Sequence, residues 1–352
     1  MTPAFTIELG SEPPALDSLP DAPAVLLLWP RAGPPHLART ALLRRRVARI
    51  ARTLGAALAR IECFRTGSGL ESALVSYELA RRHFPESYRD VLRLRMPPYV
   101  KIVLSNQFPR SQVTSQLSRS PALYYGPFRS RGAAEAFESC FLDLFQMRRC
   151  QEDLRPVPDH PGCIYGEMAM CLRPCQQAVS ADEYRHEVTR VVEFLQTDGQ
   201  SLLEPTRAAR DRLSADLDFE EAARQHKRLE KIEEALKLRD ELVRSIDKLH
   251  GVAITRSVDQ SAVDLRFVHQ GCWQPGVRFA LAEQRSMDER LRELAGAIAW
   301  QTSPARRRQD HLALLARWFY SSWREGEWLG FASAEEIPYR RLVRAVSRVA
   351  AG

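Results

Sequence analysis

Four of the chain's seven cysteines fall close together, as Cys150, Cys163, Cys171 and Cys175, in the spacing C-x12-C-x7-C-x3-C. Four thiolates converging on one point suit zinc or an iron–sulfur cluster. Cys171 and Cys175 are four positions apart, so a helical turn or a tight loop can set both on one side. The other two must return across a loop that contains Pro156, Pro158 and Pro161. Disulfides are the rival reading. A long chain, an odd cysteine count and a start unlike a secretory leader all weigh against them. Plain buried thiols are the third possibility. Cys63, Cys140 and Cys272 lie far from this group and are expected to be free.

Composition bounds what surrounds this stretch. With 352 residues and 45% hydrophobic content, the chain can form two or three domains, each with its own core. A net charge of +7 points toward a polyanionic partner. No apolar run is long enough to span a membrane, and the acidic, proline-rich start does not read as a signal peptide, so the expected location is the cytoplasm without membrane contact. The positive charge is concentrated. Residues 31–61 carry Arg31, Arg39, Arg44, Arg45, Arg46, Arg49, Arg52 and Arg60 with no carboxylate. A helix so one-sided can lie along a phosphate backbone, or form a solvated face beside an acidic patch.

The elements that must position these residues follow from periodicity and punctuation. Ala24–Trp29 reads as a buried strand, 30–35 as a Gly/Pro turn and 42–59 as a helix. A strand at 61–64, a helix over 71–83 ended by Pro85 and a strand over 98–104 complete a small α/β unit. Ala133, Ala134, Phe137, Phe141, Leu142 and Phe145 recur at helical spacing, and Ser180 or Asp182 can cap the helix that follows the cysteines. Residues 202–248 suit two antiparallel helices broken near Leu217, with so little core of their own that a partner helix could complete them. Residues 251–285 alternate as antiparallel strands with a loop at Pro275-Gly276, and helices return at 287–300 and 305–323. Trp318, Phe319, Trp323 and Trp328 fit the core of a small domain better than a base-stacking surface.

Several of these stretches together resemble the N-terminal part of UvrC, the nuclease subunit of bacterial nucleotide excision repair. The resemblance covers about residues 20–245. The cysteine pattern is its most specific element. Tyr125-Gly126-Pro127-Phe128 looks like the family's Y-F-G-P-Y, shortened by one residue, and Phe145 to Cys150 resembles its F-x-x-R-x-C. Pro98 to Ile102 resembles P-Y-I-K-I, Pro109-Arg110 the P-R that follows, and His83 with Pro85 the H-x-P that ends a nuclease-domain helix. Phe219, Glu220, Ala222 and Ala223 match F-E-x-A-A of the UVR hairpin, although His226-Lys227 stands where R-D is expected.

The resemblance implies an α+β multidomain fold: an N-terminal arm (1–19), a GIY-YIG-like α/β domain (20–110), a helical cysteine-rich domain (111–195), a UVR-like helical hairpin (196–247) and a small α+β C-terminal domain (248–352). It implies a [4Fe–4S] cluster on the four cysteines, with zinc as the alternative, and a hairpin that meets a UvrB-like helicase. The family's nuclease site uses a tyrosine-activated water, an arginine and one divalent metal held by a glutamate. Here the two tyrosine positions are Leu26 and His36, the glycine is Ala38 and the glutamate is Ser76, while the arginine remains as Arg46. Glu71 and Glu78 are nearby carboxylates out of register. An RNase H-like domain and a helix-hairpin-helix pair have no counterpart in the last hundred residues. The expectation is therefore a non-catalytic accessory of excision repair that binds duplex DNA, damaged DNA included, through Arg39, Arg44, Arg46, Arg49, Lys101 and Arg110. The alternatives are an endonuclease rewired around His36 and Glu71 or Glu78 with Mg2+, and a protein-only scaffold or regulator.

Overall fold

The computed structural model describes residues 2–9, 16–118, 120–282, 284–322 and 324–351, and they form three sheets with helices packed between and around them. The first sheet has the order β1-β4-β2-β3, built from β1 (Phe5–Glu8), β2 (Ala24–Pro30), β3 (His36–Thr40) and β4 (Leu58–Arg65). The run AVLLL in β2 is apolar on both sides because the sheet is covered on both sides. Leu26 and Leu28 pack with Leu43, Val47 and Ile50 of α1 (Leu43–Leu54), and Val25 and Leu27 with Val75 and Leu79 of α2 (Gly69–His83). Ser68 caps α2 by accepting the Glu71 N–H, and the helix ends at Phe84, just before Pro85. Two features depart from the sequence reading. Residues 5–8, assigned to an arm, form the edge strand β1 on β4, and the residues after the Gly/Pro turn form the strand β3.

After the short α3 (Tyr88–Val91) the chain enters a second sheet of order β6-β5-β7-β8, made of β5 (Tyr99–Val103), β6 (Ser111–Thr114), β7 (Ala122–Gly126) and, much later, β8 (Arg244–Ser245). The strand over 98–104 thus exists, but it pairs with β6 and β7 and not with the first sheet. Strand propensity is local, whereas the choice of neighbour is made by side-chain packing across the sheet. Val100 and Ile102 face Phe137 and Phe141 of α4 (Arg131–Leu142), and this core continues through Tyr184, Val191 and Phe194. At Gly126 φ is +146°, and a Cβ there would stand 2.9 Å from the Tyr99 ring, so the Y-G-P-F turn needs glycine.

The cysteine loop contains one short helix, α5 (Ile164–Glu167), and ends at α6 (Ala181–Gln196), where Ser180 and Glu183 form a reciprocal capping box. α7 (Gln200–Ala215) and α8 (Phe219–Lys237) are the antiparallel hairpin, turning at Leu217. Its root is not short of a core: Leu229, Ile232 and Ala235 join the cluster around α4. Its tip is bare, with Leu217 71% and Phe219 64% exposed.

The third sheet is antiparallel, with β9 (His250–Arg256), β10 (Ala262–His269), β11 (Cys272–Trp273), β12 (Val277–Ala280) and β13 (Glu327–Phe331) in the order β11-β10-β9-β13, and β12 also pairing with β10. α9 (Met287–Gly296) and α11 (Tyr339–Ala351) cover one face. α10 (Ala305–Phe319) lies between this sheet and α2. Trp318 and Trp328 are buried in a cluster that also contains Leu70, Tyr99 and Tyr124, which joins the second and third sheets to α2 through one shared core. Trp323 lies outside the described residues. No helix among the described residues is long and apolar enough to cross a membrane.

Candidate functional site

The positions that the sequence reading aligned with a nuclease site are held by the first sheet and its two helices. Leu26 is fully buried on β2, opposite Ala38 of β3 and Cys63 of β4. His36 pairs with Leu28 at the start of β3 and is exposed. Arg46 sits on α1, and its Nε is buried without a hydrogen-bond partner. Ser76 belongs to α2, which packs on the opposite face of the sheet from α1. It is 2% exposed, and its Oγ donates to the Ser72 carbonyl at 2.6 Å, so its hydroxyl is spent within its own helix.

The substitute carboxylates are engaged elsewhere. Glu71 accepts the Gly67 N–H at 2.7 Å and pairs with Arg266 of β10 at 3.3 Å. Desolvation, with Asp264 close by, raises its pKa despite that hydrogen bond and the arginine. Glu78 is exposed and meets Arg81 and Arg307. Glu71 is therefore a tie between α2 and the third sheet, and none of these contacts links either carboxylate to Arg46.

The cationic residues fall into separate places. Leu43, Val47 and Ile50 occupy the inner face of α1, which leaves Arg44, Arg45, Arg49 and Arg52 outward. Arg45 pairs with Asp21 at 3.4 Å, whereas Arg44 and Arg49 have no ion pair among the described residues. Arg39, at the end of β3, lines a cleft of about 840 Å³ together with Ser68, Arg256, Glu325 and Arg348. Lys101 and Arg110 are not part of this face. Lys101 is 9% exposed in the second sheet, donating to Ser118 Oγ at 3.1 Å and lying over the Tyr124 ring. Arg110 donates to Gln112 and to Gln151 beside the cysteine loop.

The cysteine loop requires a correction. Cys150, Cys163, Cys171 and Cys175 do line one cavity, next to Arg148, and Cys150 and Cys171 accept hydrogen bonds from Arg148 Nη1 and the Arg173 amide, both at 3.4 Å. The cavity holds about 10 Å³, barely room for one water. Burial, with the other three thiols adding to the effect, pushes the Cys171 thiol up to about 11 despite the hydrogen bond from the Arg173 amide. No group of three or more His, Cys, Asp or Glu among the described residues is arranged to hold a metal ion. The expected [4Fe–4S] cluster, the zinc alternative and a Mg2+ site at the nuclease positions are all overturned by that arrangement. All seven cysteines are free thiols.

Sequence reasoning missed the contribution of the third sheet and its helices. Arg266, Arg256 and Arg348 meet α2 or the cleft from positions remote in the chain.

Residues 98–194, from β5 through most of α6, match the family model of the UvrC/Cho excinuclease middle domain. The UvrABC system protein C of Moorella thermoacetica is 26% identical over 265 residues, 73% of this chain and 43% of that protein. The corresponding protein of Dehalococcoides mccartyi is 27% identical over 60% of this chain and 35% of its own, and that of Desulforudis audaxviator 30% identical over 50% and 28%. The chain spans less than half the length of these curated relatives. No solved structure matches it. The middle-domain match and the similarity to these system C proteins relate the chain to the UvrC family.

Proposed function

We propose that the protein is a DNA-binding accessory of nucleotide excision repair that holds duplex DNA without cutting it. The observation that carries this reading is that Arg46 has no ion pair among the described residues, while Glu71 and Glu78 are paired with other arginines. Phosphodiester hydrolysis needs an activated water and an ion or acid to stabilise the leaving oxygen. Arg46 supplies positive charge, but Leu26 has no proton to exchange, Ser76 is closed on its own helix and Glu71 is bound to Gly67 and Arg266. A guanidinium alone binds phosphate and leaves it intact. Arg44 and Arg49, outward on the same helix, extend this binding surface, and Arg39 adds charge in the cleft on the other face of the sheet.

The hairpin tip supports a second contact. Leu217 and Phe219 are apolar, exposed and presented at the turn between two helices, with Glu220 and Ala223 beside them and Ala222 turned inward. An apolar tip of this kind fits a helical hairpin on a partner such as a UvrB-like helicase.

A nicking assay on damaged duplex with magnesium or manganese, with and without UvrA- and UvrB-type partners, tests the reading. The expected result is salt-sensitive retention of DNA with no strand cleavage. Metal-dependent nicking that disappears in Arg46→Ala would establish the rewired endonuclease instead. No DNA binding at low salt would leave a protein-only scaffold.

A further inference from the structure

The start of α10 is electrostatically unusual. The backbone dipole favours acidic residues in the first turn of a helix. α10 has none there and no side-chain cap, and carries Arg306, Arg307 and Arg308. The segment 81–95 is similarly biased, with five arginines against Glu86 and Asp90. These two segments, more than two hundred residues apart, are joined at a seam by Asp310. Its carboxylate accepts from Tyr77 OH at 3.1 Å, Tyr88 OH at 2.8 Å and Arg89 Nε at 2.8 Å.

Two adjoining grooves of about 420 and 440 Å³ run along this seam and share Pro304 and Arg306. Arg81, Arg89 and Arg307 complete their basic lining. The one carboxylate in the wall, Asp310, is 1% exposed and already bonded on both oxygens, so it opposes a bound anion little. Arg307 is partly offset by Glu78 at 3.4 Å. Arg306 is exposed, has no ion pair among the described residues and lies over the Tyr88 ring at 5.8 Å. A small phosphorylated metabolite would be held by one enclosed pocket. Two consecutive grooves that share an arginine suit a continuous phosphodiester strand, whose charges repeat along its length.

We propose that this seam is a second phosphate-backbone surface for duplex DNA, separate from the arginines of α1 and assembled only when α10 docks on α2 and α3. It rests on the reading that the chain binds DNA and adds a location that the nuclease-like residues do not supply. Arg306 is the contact to test, because its removal breaks no ion pair.

The experiment is fluorescence anisotropy of a labelled duplex with the full chain, titrated over a range of sodium chloride concentrations. Arg306→Ala should lower affinity roughly five- to tenfold at ~0.1 M salt and reduce the log–log salt slope by about 1, as expected for one lost phosphate contact. Arg306→Lys should keep the slope. Circular dichroism of both variants should match the parent. Unchanged binding by Arg306→Ala while Arg44→Ala/Arg49→Ala weakens it would overturn the seam and leave the DNA-binding reading standing. A fall in affinity with no change in slope would also overturn it, since the loss would not be of a phosphate contact. Absence of binding by the unaltered chain would overturn both.

Discussion

Replacing Asp310 by alanine tests whether the docking of α10 on α2 and α3 depends on one buried carboxylate. The side chain is 1% exposed and accepts three hydrogen bonds, two from tyrosines and one from Arg89, with which it also forms an ion pair at 2.8 Å. Hydrogen bonds to a charged group contribute about 1.5–3 kcal/mol each, but they are not additive, and breaking a buried pair by removing one partner costs about 3–5 kcal/mol in all. Arg89 is 30% exposed and can rehydrate, whereas Tyr77, at 1%, cannot. The expected loss for Asp310→Ala is therefore about 3–4 kcal/mol. Asp310→Asn keeps the shape and one acceptor and should cost about 1–2 kcal/mol. Urea unfolding followed by tryptophan fluorescence reads the difference, because Trp318 lies on the same helix. A double-mutant cycle with Tyr88→Phe should show coupling of about 1 kcal/mol. A loss below about 1 kcal/mol for Asp310→Ala, or zero coupling, would refute the claim that this carboxylate holds the seam together.

Two further outcomes follow from burial. Ser76→Glu places a carboxylate at a 2% exposed position next to the core between β2 and α2, so it should destabilise the chain by roughly 2 kcal/mol or more and fail to restore metal-dependent nicking; nicking by this variant would show that the nuclease framework lacks only its ligand. His311 is 3% exposed, accepts the Trp273 N–H on Nδ1 and is pulled down to about 3 by desolvation, with Arg307 and Arg81 adding to the effect. Its folded pKa lies below the unfolded one, so its contribution is intact above about pH 6.5 and falls away as pH drops toward 3, by about 2 kcal/mol at pH 5. Thermal unfolding between pH 7 and 5 should fall less steeply in His311→Asn, which keeps an acceptor for Trp273; equal slopes would refute the assignment.

The sequence alone determined those features whose cause is local. The unbroken apolar run of β2 calls for a strand buried on both faces, and Leu43, Val47 and Ile50 at helical spacing turn the arginines of α1 outward. Ser180 with Glu183, and the break between Leu213 and Phe219, mark helix ends through hydrogen bonds made within a few residues. Reading Leu26, His36, Ala38 and Ser76 as replaced nuclease residues rests on residue types alone, because a motif states types and not positions in space. What tertiary structure decided depends on groups brought together from distant positions. β5 chose β6 and β7 over the first sheet because Val100 and Ile102 find the aromatic face of α4. Glu71 was committed to Arg266, nearly two hundred residues away, and Lys101 was turned toward Ser118 and Tyr124. The cysteine spacing brought four thiols to one cavity, but spacing carries no information about depth or direction, and the chain packs around them too closely to leave a metal-binding arrangement. The arginine seam arises the same way: each segment is merely basic, and the grooves form where a buried aspartate and the packing of Tyr77, Tyr88 and Leu314 fasten one to the other.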